Sequence, residues 1–346
     1  MNEFKHTMSD LYQMQSLPLD AKIRMTIARI NVWIDTFGEE GVSISFSGGK
    51  DSTVLMDIIR NQMGYKDIPA VFVDVPTQFP ELREFAKTWD NVEVLKSKIS
   101  FMQVCEKYGF PLISKEIAGK MHDLQIAHRN GHECYVDRQF RGEYTTKNGK
   151  KNIYNVEKYA FLTEAPFQIS HKCCSAMKKE PLNAYEKKTG RKPITAQMAE
   201  ESKLRTQAWC KFGCNAFEQK KPKSNPLMFW TEQDILTYIH TYNLPICSVY
   251  GEVVEDFEAM GEMPGQMHFD EFSNDIKYKT TGCKRTGCML CGFGCHLEKP
   301  GEGRFEMLKE THPKMYGLLD VCKNNGYTFR EAIEWLNEHG GFDIKL

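Results

Sequence analysis

The residues with the clearest chemical meaning form a Ser-Gly-Gly-Lys-Asp-Ser stretch at 47–52, between a β-type apolar run and a helical pattern. Two glycines let the backbone turn sharply and bring its N–H groups close to an anion, and a helix N-terminus adds partial positive charge. The spacing differs from G-x-x-x-x-G-K-[ST] and from G-x-G-x-x-G. The sequence therefore predicts a phosphate-binding loop of another kind. Its candidate ligand-binding residues are Ser47, Gly48, Gly49, Lys50, Asp51 and Ser52.

Cysteine spacing gives the second chemical signal. Near the carboxyl end, the pattern C-x4-C-x2-C-x3-C in a Gly-rich stretch comprises Cys283, Cys288, Cys291 and Cys295, and Cys173 and Cys174 form an earlier pair. Thiolates bind soft cations, so this pattern indicates a zinc ion or an iron–sulfur cluster. Two ligand sets stay open: Cys173, Cys174, Cys288 and Cys291, or the contiguous Cys283, Cys288, Cys291 and Cys295.

The other cysteines have plainer interpretations. Cys105, Cys134, Cys247 and Cys322 stand in apolar contexts, so we expect them to be buried structural residues. Cys210 and Cys214 are four residues apart, and on a helix such a pair either binds metal or simply packs.

These residues need elements to position them, and the apolar pattern predicts which ones. A helix ending at Gly38, a strand at 42–46, a helix at 52–63, a strand at 70–75, a helix from Pro80 and a strand at 92–95 follow one another. This β-α-β-α order predicts an α/β fold with a doubly wound parallel sheet, whose ligands bind beyond the carboxyl ends of the strands. Both the loop at 47–52 and Asp74 stand at such ends.

Charge and composition exclude several classes of protein. The 45 basic and 46 acidic residues nearly cancel, so no global charge drives binding to nucleic acid or to a membrane. No stretch resembles a secretory signal or a membrane span. We expect a cytoplasmic protein without membrane contact, in which twelve cysteines indicate metal or thiol chemistry rather than disulfides.

The chain divides into three predicted regions: an N-terminal helical segment at 1–38, a nucleotide-binding domain at 39–250, and a cysteine-rich, helical C-terminal region at 251–346. An insertion at about 119–160 mixes basic residues such as Arg138 and Lys150 with aromatic ones such as Tyr135 and Tyr154. That mixture suits stacking on bases beside phosphate contacts, although a solvated insertion explains it as well.

Several segments resemble known families in the same order. The loop at 47–52 matches the SGGxDS motif of PP-loop ATP pyrophosphatases, which split ATP into AMP and pyrophosphate. The segment 173–182 resembles the CCxxRKxxPL of iron–sulfur adenylylsulfate reductases, 287–291 resembles their GCxxC, and 226–235 resembles their PL-x-x-W-T segment. The resemblance implies a [4Fe-4S] cluster on Cys173, Cys174, Cys288 and Cys291, and it places Asp74 in the nucleotide pocket.

Departures from the reductases influence the functional expectation. Sulfonucleotide reductases usually lack the full SGGKDS and carry a catalytic cysteine in a C-terminal ECGLH tail, whereas the last cysteine here is Cys322. Met198 stands where an anion-binding arginine of that family would stand, which removes a bidentate fork for sulfate or phosphate. This chain is more similar to the sulfur-inserting branch, which includes DNA phosphorothioation ATP pyrophosphatases and tRNA thiolases.

That resemblance implies an ATP-dependent sulfurtransferase that adenylates an acceptor, expected to be nucleic acid, and then inserts sulfur. Lys50, Asp51 and Cys283 are its candidate catalytic residues; ATP, Mg²⁺ and a [4Fe-4S] cluster, or alternatively Zn²⁺, are its expected cofactors. A cysteine desulfurase is the expected sulfur donor. Two alternatives remain: an adenylylsulfate or phosphoadenylylsulfate reductase, and a non-catalytic nucleotide- and nucleic-acid-binding subunit of a DNA modification or defence system.

Overall fold

The computed structural model describes residues 4–260, 276–299 and 301–346, so parts of the predicted C-terminal region at 261–275 and 300 lie outside the described residues. The chain forms two compact units that are interleaved in sequence. The first unit comprises 1–74, 79–95 and 182–286; the second comprises 75–78, 96–181 and 287–346. The predicted domain boundaries stay predictions.

The first unit is built on a six-stranded sheet with the order β3-β2-β1-β5-β7-β6. The strands are β1 (Val42–Phe46), β2 (Ala70–Asp74), β3 (Val92–Lys96), β5 (Lys192–Thr195), β6 (Asn215–Ala216) and β7 (Lys223–Ser224). β1 pairs in parallel with β2 and β5, β5 pairs in parallel with β7, and β6 runs antiparallel to β7. The predicted α/β class with a mainly parallel sheet is confirmed.

Six shorter strands complete the described part of the chain. They are β4 (Leu112–Ile113), β8 (Val253–Glu255), β9 (Tyr278–Thr280), β10 (Gly292–Phe293), β11 (Lys323–Asn324) and β12 (Tyr327–Thr328). In the second unit β4 pairs in parallel with β10, and β11 and β12 form a hairpin. Cys288 also bridges Gln78, which ties the cysteine-bearing loop to residues 75–78 of the same unit.

The described helices, in chain order, follow. They are α1 (Met8–Gln15), α2 (Leu19–Phe37), α3 (Lys50–Asp57), α4 (Pro80–Lys87), α5 (Phe101–Tyr108), α6 (Lys115–Arg129), α7 (Tyr135–Phe140), α8 (Lys172–Cys174), α9 (Glu180–Thr189), α10 (Lys203–Phe212), α11 (Glu232–Thr241), α12 (Phe257–Met260), α13 (Arg304–Thr311), α14 (Pro313–Tyr316), α15 (Leu318–Val321) and α16 (Phe329–Gly340). Single π-helical turns continue α3 at Ile58–Gln62 and α8 at Ser175–Lys179. None of the helices in the described ranges is long and apolar enough to cross a membrane.

Local signals in the sequence explain where two key helices of the first unit begin and end. α2 ends before Gly38, whose φ of +74° is one that glycine adopts without a steric cost. α11 begins after Thr231, whose hydroxyl accepts from the Asp234 N–H while the Asp234 carboxylate accepts from the Thr231 N–H. This capping box satisfies two otherwise unpaired backbone donors, as the sequence predicts.

Cys210 and Cys214 do not form a pair on one helix, because Gly213, with a φ of +70°, ends α10 between them. Both cysteines lie in the apolar core of the first unit, where burial raises the pKa of each thiol. The structure thus favours packing over metal binding for them. Of the four cysteines expected to be structural, Cys105, Cys247 and Cys322 are buried, and Cys134 is only partly so.

A buried polar cluster joins α11 to α3, and its loss tests the core of the first unit. The Tyr238 hydroxyl donates to Asp57 Oδ2 at 2.5 Å and accepts from Gln62, and burial is the main reason that the Tyr238 pKa is raised. Tyr238→Phe leaves the Asp57 oxygen without this donor, so we expect a loss of about 1–3 kcal/mol in urea denaturation. Tyr12→Phe, at a 62% exposed tyrosine, is the matched control and should change stability little.

Candidate functional site

The loop at 47–52 connects the carboxyl end of β1 to the start of α3, both within the first unit. Gly48 has a φ of +73°, and a Cβ there would lie 3.1 Å from the Leu82 carbonyl oxygen. A Cβ on Gly49 would lie 3.2 Å from the hydroxyls of Ser47 and Tyr250. Side chains at these two positions would disturb the turn, which explains why the motif needs two glycines.

Serine hydroxyls hold the loop in shape. The Ser47 N–H donates to Ser52 Oγ at 3.2 Å, the Gly49 N–H donates to Ser47 Oγ at 3.3 Å, and Ser52 Oγ donates to the Gly49 carbonyl at 2.9 Å. The two hydroxyls are 3.0 Å apart. The serines of the motif therefore act in this structure as internal braces of the turn.

Lys50 is the first residue of α3, and its side chain is only 4% exposed. Its ammonium group donates to the Lys284 carbonyl at 2.8 Å and lies 3.0 Å from Glu232 Oε1. The Lys50 N–H donates to the Tyr250 hydroxyl at 3.4 Å, and that hydroxyl lies 2.7 Å from Thr286 Oγ1. Burial raises the pKa of Tyr250 to about 12, so the phenol stays protonated near neutral pH. The lysine is thus a buried, preoriented cation.

Asp51 follows Lys50 and has an oxygen without a partner. Its Oδ1 is buried and accepts no hydrogen bond. Burial raises the pKa of the Asp51 carboxyl above its ordinary value, and the charge of Glu232 adds to this, while Lys50, Arg285 and Arg205 act in the opposite direction. A buried carboxylate oxygen without a donor fits a hard cation such as Mg²⁺, which prefers oxygen ligands.

Asp74 ends β2, directly beside β1 in the sheet, so the structure brings it to the same edge as the loop. Its carboxylate forms an ion pair with Arg83, with Arg83 Nη2 2.7 Å from Asp74 Oδ1. This pairing leaves Asp74 a positioning partner of α4 in the present structure. Its role in nucleotide binding stays a prediction.

Cys283 also lies in the first unit, next to the segment that carries Tyr250. Its N–H donates to the Val249 carbonyl at 2.9 Å, and the Gly282 N–H donates to the Tyr250 carbonyl at 2.8 Å. Burial raises the pKa of the Cys283 thiol, with a smaller contribution from Glu81. The thiol is therefore no ready thiolate nucleophile in this state.

Sequence reasoning missed four residues that surround the loop: Glu232, Tyr250, Arg205 and Thr286. Glu232 and Tyr250 belong to the segment that resembles the PL-x-x-W-T region, so that resemblance is the signal that could have found them. Nothing local marks Arg205 or Thr286, because packing alone brings them to the loop.

In the second unit, four cysteines line a single cavity of about 310 Å³, a volume that includes open solvent. They are Cys173 and Cys174 from α8 and Cys288 and Cys291 from the loop before β10. Thr77, Phe101, Pro111, Met177, Lys178 and Leu290 complete the lining. The structure thus brings together the set that the resemblance to reductases implies.

The thiols of this cavity influence one another. A hydrogen bond with Cys173 is the largest cause that lowers the pKa of Cys174 to about 5, and Lys115, Lys178 and Lys179 contribute. The same hydrogen bond and burial raise the pKa of Cys173 far above its ordinary range. Cationic side chains around adjacent thiols favour the thiolate form, which is the form that binds metal.

Cys295, which belongs to the alternative ligand set, does not line the cavity. Its thiol is buried, and Sγ lies 2.9 Å from the Gly292 carbonyl, to which it donates. Within the ranges that the structure describes, no three His, Cys, Asp or Glu side chains are arranged to hold one metal ion. An iron–sulfur cluster distributes its thiolates over several iron atoms, so four cysteines around a shared cavity fit a cluster better than a single zinc ion.

Two solved structures resemble this chain distantly. The crystal structure of phosphoadenylyl-sulfate (PAPS) reductase from Candida auris, a phosphate complex, shares 14% identity over 71% of this chain and 92% of its own, with a TM-score of 0.35. That of Candida glabrata FMN adenylyltransferase in complex with ATP shares 14% identity over 69% of this chain and 64% of its own, with a TM-score of 0.38. Likeness at this level says nothing of what this chain binds. No curated protein matches it.

A family model gives the stronger result. The model described as the phosphoadenosine phosphosulfate reductase domain matches residues 41–122 and 133–292, which include the loop at 47–52, Asp74 and the four cysteines of the cavity. Because this match spans well over half of the chain, the protein belongs to the phosphoadenosine phosphosulfate reductase domain family, whose members act on nucleotides.

Proposed function

We propose that this protein is an ATP-dependent sulfurtransferase that forms AMP and pyrophosphate, adenylates an acceptor and then replaces the activated oxygen with sulfur. The observation that carries the proposal is the pair of Lys50, a buried cation, and Asp51, whose Oδ1 is buried without a donor, in the Gly48-Gly49 turn. An enzyme that only binds a sulfonucleotide has no pyrophosphate to release. A preoriented cation and a free carboxylate oxygen suit the stabilisation of a departing pyrophosphate and its Mg²⁺.

The proposed reaction has two steps. An acceptor oxygen attacks the α-phosphorus of ATP, the bond to the bridging oxygen breaks, and pyrophosphate leaves with the electron pair. Lys50 stabilises the charge that develops on the departing phosphates because its ammonium group is already held at the loop. A sulfur nucleophile then forms a bond to the activated atom, and AMP leaves with the acceptor oxygen. Sulfide suffices to balance this second step.

The cysteine cavity of the second unit supports the sulfur part of the proposal. Cys173, Cys174, Cys288 and Cys291 would hold a [4Fe-4S] cluster, and a bound cluster would supply an iron site for sulfur. Cys283 is the proposed sulfur carrier from the first unit. Its raised pKa means that it needs a nearby base or a sulfur already bound before it can act.

The proposed acceptor is nucleic acid, and the segment at 119–160 in the second unit supports it. Tyr135 and Tyr154 are each 57% exposed, as aromatic side chains that stack on bases must be. Acidic neighbours offset part of the basic charge, since Arg141 pairs with Glu143 and Lys151 with Glu157. The segment is thus an aromatic surface with moderate positive charge.

Removing that charge tests the acceptor. We expect the combined change of Arg138, Arg141, Lys150 and Lys151 to alanine to weaken polynucleotide binding. For every phosphate that the variant no longer neutralises, the slope of log affinity against log salt should fall by about one. Fluorescence anisotropy over a salt series measures both effects, with Lys187 and Lys188 of α9 changed to alanine as the control. Salt-independent binding by the wild type would indicate a small-molecule acceptor instead.

The second candidate is a sulfonucleotide reductase, which the name of the matching family favours. Two observations weigh against it. Met198, at the position of the anion-binding arginine, is 2% exposed and packs in the apolar core, so it offers no donor to a sulfate. Cys322 is 0% exposed and cannot meet a substrate in this structure.

One experiment separates the candidates. Anaerobically purified protein is incubated with ATP, Mg²⁺, sulfide and a pool of nucleic acid, and, in parallel, with adenylylsulfate or phosphoadenylylsulfate and a dithiol. The proposal expects equal amounts of AMP and pyrophosphate in the first mixture and a thiolated nucleotide on mass spectrometry of the digest. Sulfite from the second mixture, with no AMP from the first, would establish the reductase.

A further inference from the structure

The carboxylate of Glu232 lies at the phosphate-binding loop, although the sequence alone gives it no role. Its Oε1 is 3.0 Å from Lys50 Nζ, and its N–H donates to Glu200 Oε1 at 2.6 Å. Glu232 is the first residue of α11, directly after the capping residue Thr231, so the start of the helix fixes its position. It brings a second negative charge to the side of the loop where Asp51 stands.

The carboxylates at this place are poorly compensated. Burial is the main cause that raises the pKa values of Asp51 and Glu200, and the charge of Glu232 adds to both shifts. Lys50 already serves Glu232 and the Lys284 carbonyl. Independently of these charges, Asp51 Oδ1 is buried and accepts no hydrogen bond. A divalent cation would satisfy that oxygen and offset the excess of negative charge.

We propose that Glu232 joins Asp51 in holding the divalent cation that accompanies the nucleotide phosphates. The inference rests on the proposed nucleotide site and assigns its second protein ligand. Mg²⁺ is usually held by one or two carboxylates together with substrate phosphates, which matches two carboxylates flanking a phosphate-binding lysine. Lys50 then passes from Glu232 to the phosphates, while Glu232 turns from the ammonium group to the cation.

The competing role for Glu232 is simply to position Lys50. Glu232→Gln separates the two, because glutamine keeps an oxygen that accepts from Lys50 but lacks the charge that a divalent cation requires. The side chain is 38% exposed at a helix start, so the change should leave the fold intact, which circular dichroism can verify. Glu84→Gln, at an exposed residue of α4 in the same unit, is the control.

The test uses Mn²⁺ as the probe and the α,β-methylene analogue of ATP, which cannot be cleaved between its α and β phosphates. The electron paramagnetic resonance signal of free Mn²⁺ reports how much metal the protein–analogue complex binds. We expect Glu232→Gln to weaken Mn²⁺ binding about tenfold or more, since even indirect partners of metal ligands are worth that much. Metal-free binding of the analogue, measured by calorimetry in chelator, should be unchanged or tighter.

Two results would overturn the inference: Mn²⁺ binding by Glu232→Gln that equals that of Glu84→Gln, or metal-free binding of the analogue that falls by the same factor as metal binding. The latter would show that Glu232 only positions Lys50. Failure of the wild type to bind Mn²⁺ with the analogue would overturn it as well. A wild type that binds Mn²⁺ through Glu232 yet releases no AMP from ATP would refute the proposed function alone.

Discussion

Lys50→Ala should abolish the formation of AMP and pyrophosphate while leaving the protein folded. The ammonium group is held at the turn by the Lys284 carbonyl and Glu232, so it needs no reorganisation when charge develops on the leaving phosphates. Removal of one such preorganised contact typically costs about 3 kcal/mol, which lowers the rate about a hundredfold or more. Separation of labelled nucleotides by chromatography, with a coupled assay for pyrophosphate, measures the effect.

Two further variants make this result specific. Lys50→Met keeps most of the buried side-chain volume, so a loss of activity equal to that of alanine would assign the effect to the charge rather than to a cavity. Lys87→Ala removes an exposed lysine of the same unit that pairs only with Glu84 and should retain full activity. Wild-type rates in Lys50→Ala, or ADP as the product of the wild type, would contradict the proposed reaction.

The loop could be predicted because all that defines it is local. A strand of apolar residues, two glycines and a helix start follow one another along the chain, and the structure has β1, the turn and α3 in those places. The end of α2 at Gly38 and the capping box at Thr231 are equally local, since each depends on backbone geometry within four residues.

What surrounds the loop could not be predicted in the same way. Glu232, Tyr250 and Thr286 reach it from parts of the chain far away in sequence, and only packing decides which side chains arrive. The pairing of Asp74 with Arg83 likewise follows from how α4 lies at the end of β2. Spacing of polar residues along a chain carries no information on such meetings.

Cysteine spacing was a signal of a different kind, because it grouped residues that the structure separates. Cys283 and Cys288 are close in sequence, yet Cys283 belongs to the first unit and Cys288 to the second. Cys173 and Cys174, remote in sequence, line the same cavity as Cys288 and Cys291. A contiguous pattern therefore indicated the chemistry of the site, but it could not define the ligand set.

Serine substitution of the cysteines should separate the two ligand sets. We expect serine at position 173, 174, 288 or 291 to remove most of the iron and sulfide from anaerobically prepared protein. The reason is that loss of a ligand costs at least the tenfold to hundredfold in metal affinity that indirect partners are typically worth. Iron and acid-labile sulfide per chain, together with visible absorbance, measure the result.

Positions 283 and 295 decide between the sets, because they belong only to the contiguous one. Cys295 already donates to the Gly292 carbonyl and lies outside the cavity lining, so Cys295→Ser should keep the full iron content. Cys283→Ser should also keep its iron and yet lose sulfur transfer, if the thiol carries the sulfur. Cys134→Ser, at a partly exposed cysteine of the second unit, is the control. Iron lost from Cys283→Ser and Cys295→Ser but kept in Cys173→Ser and Cys174→Ser would reverse the assignment, and zinc without iron or sulfide in the wild type would refute the cluster itself.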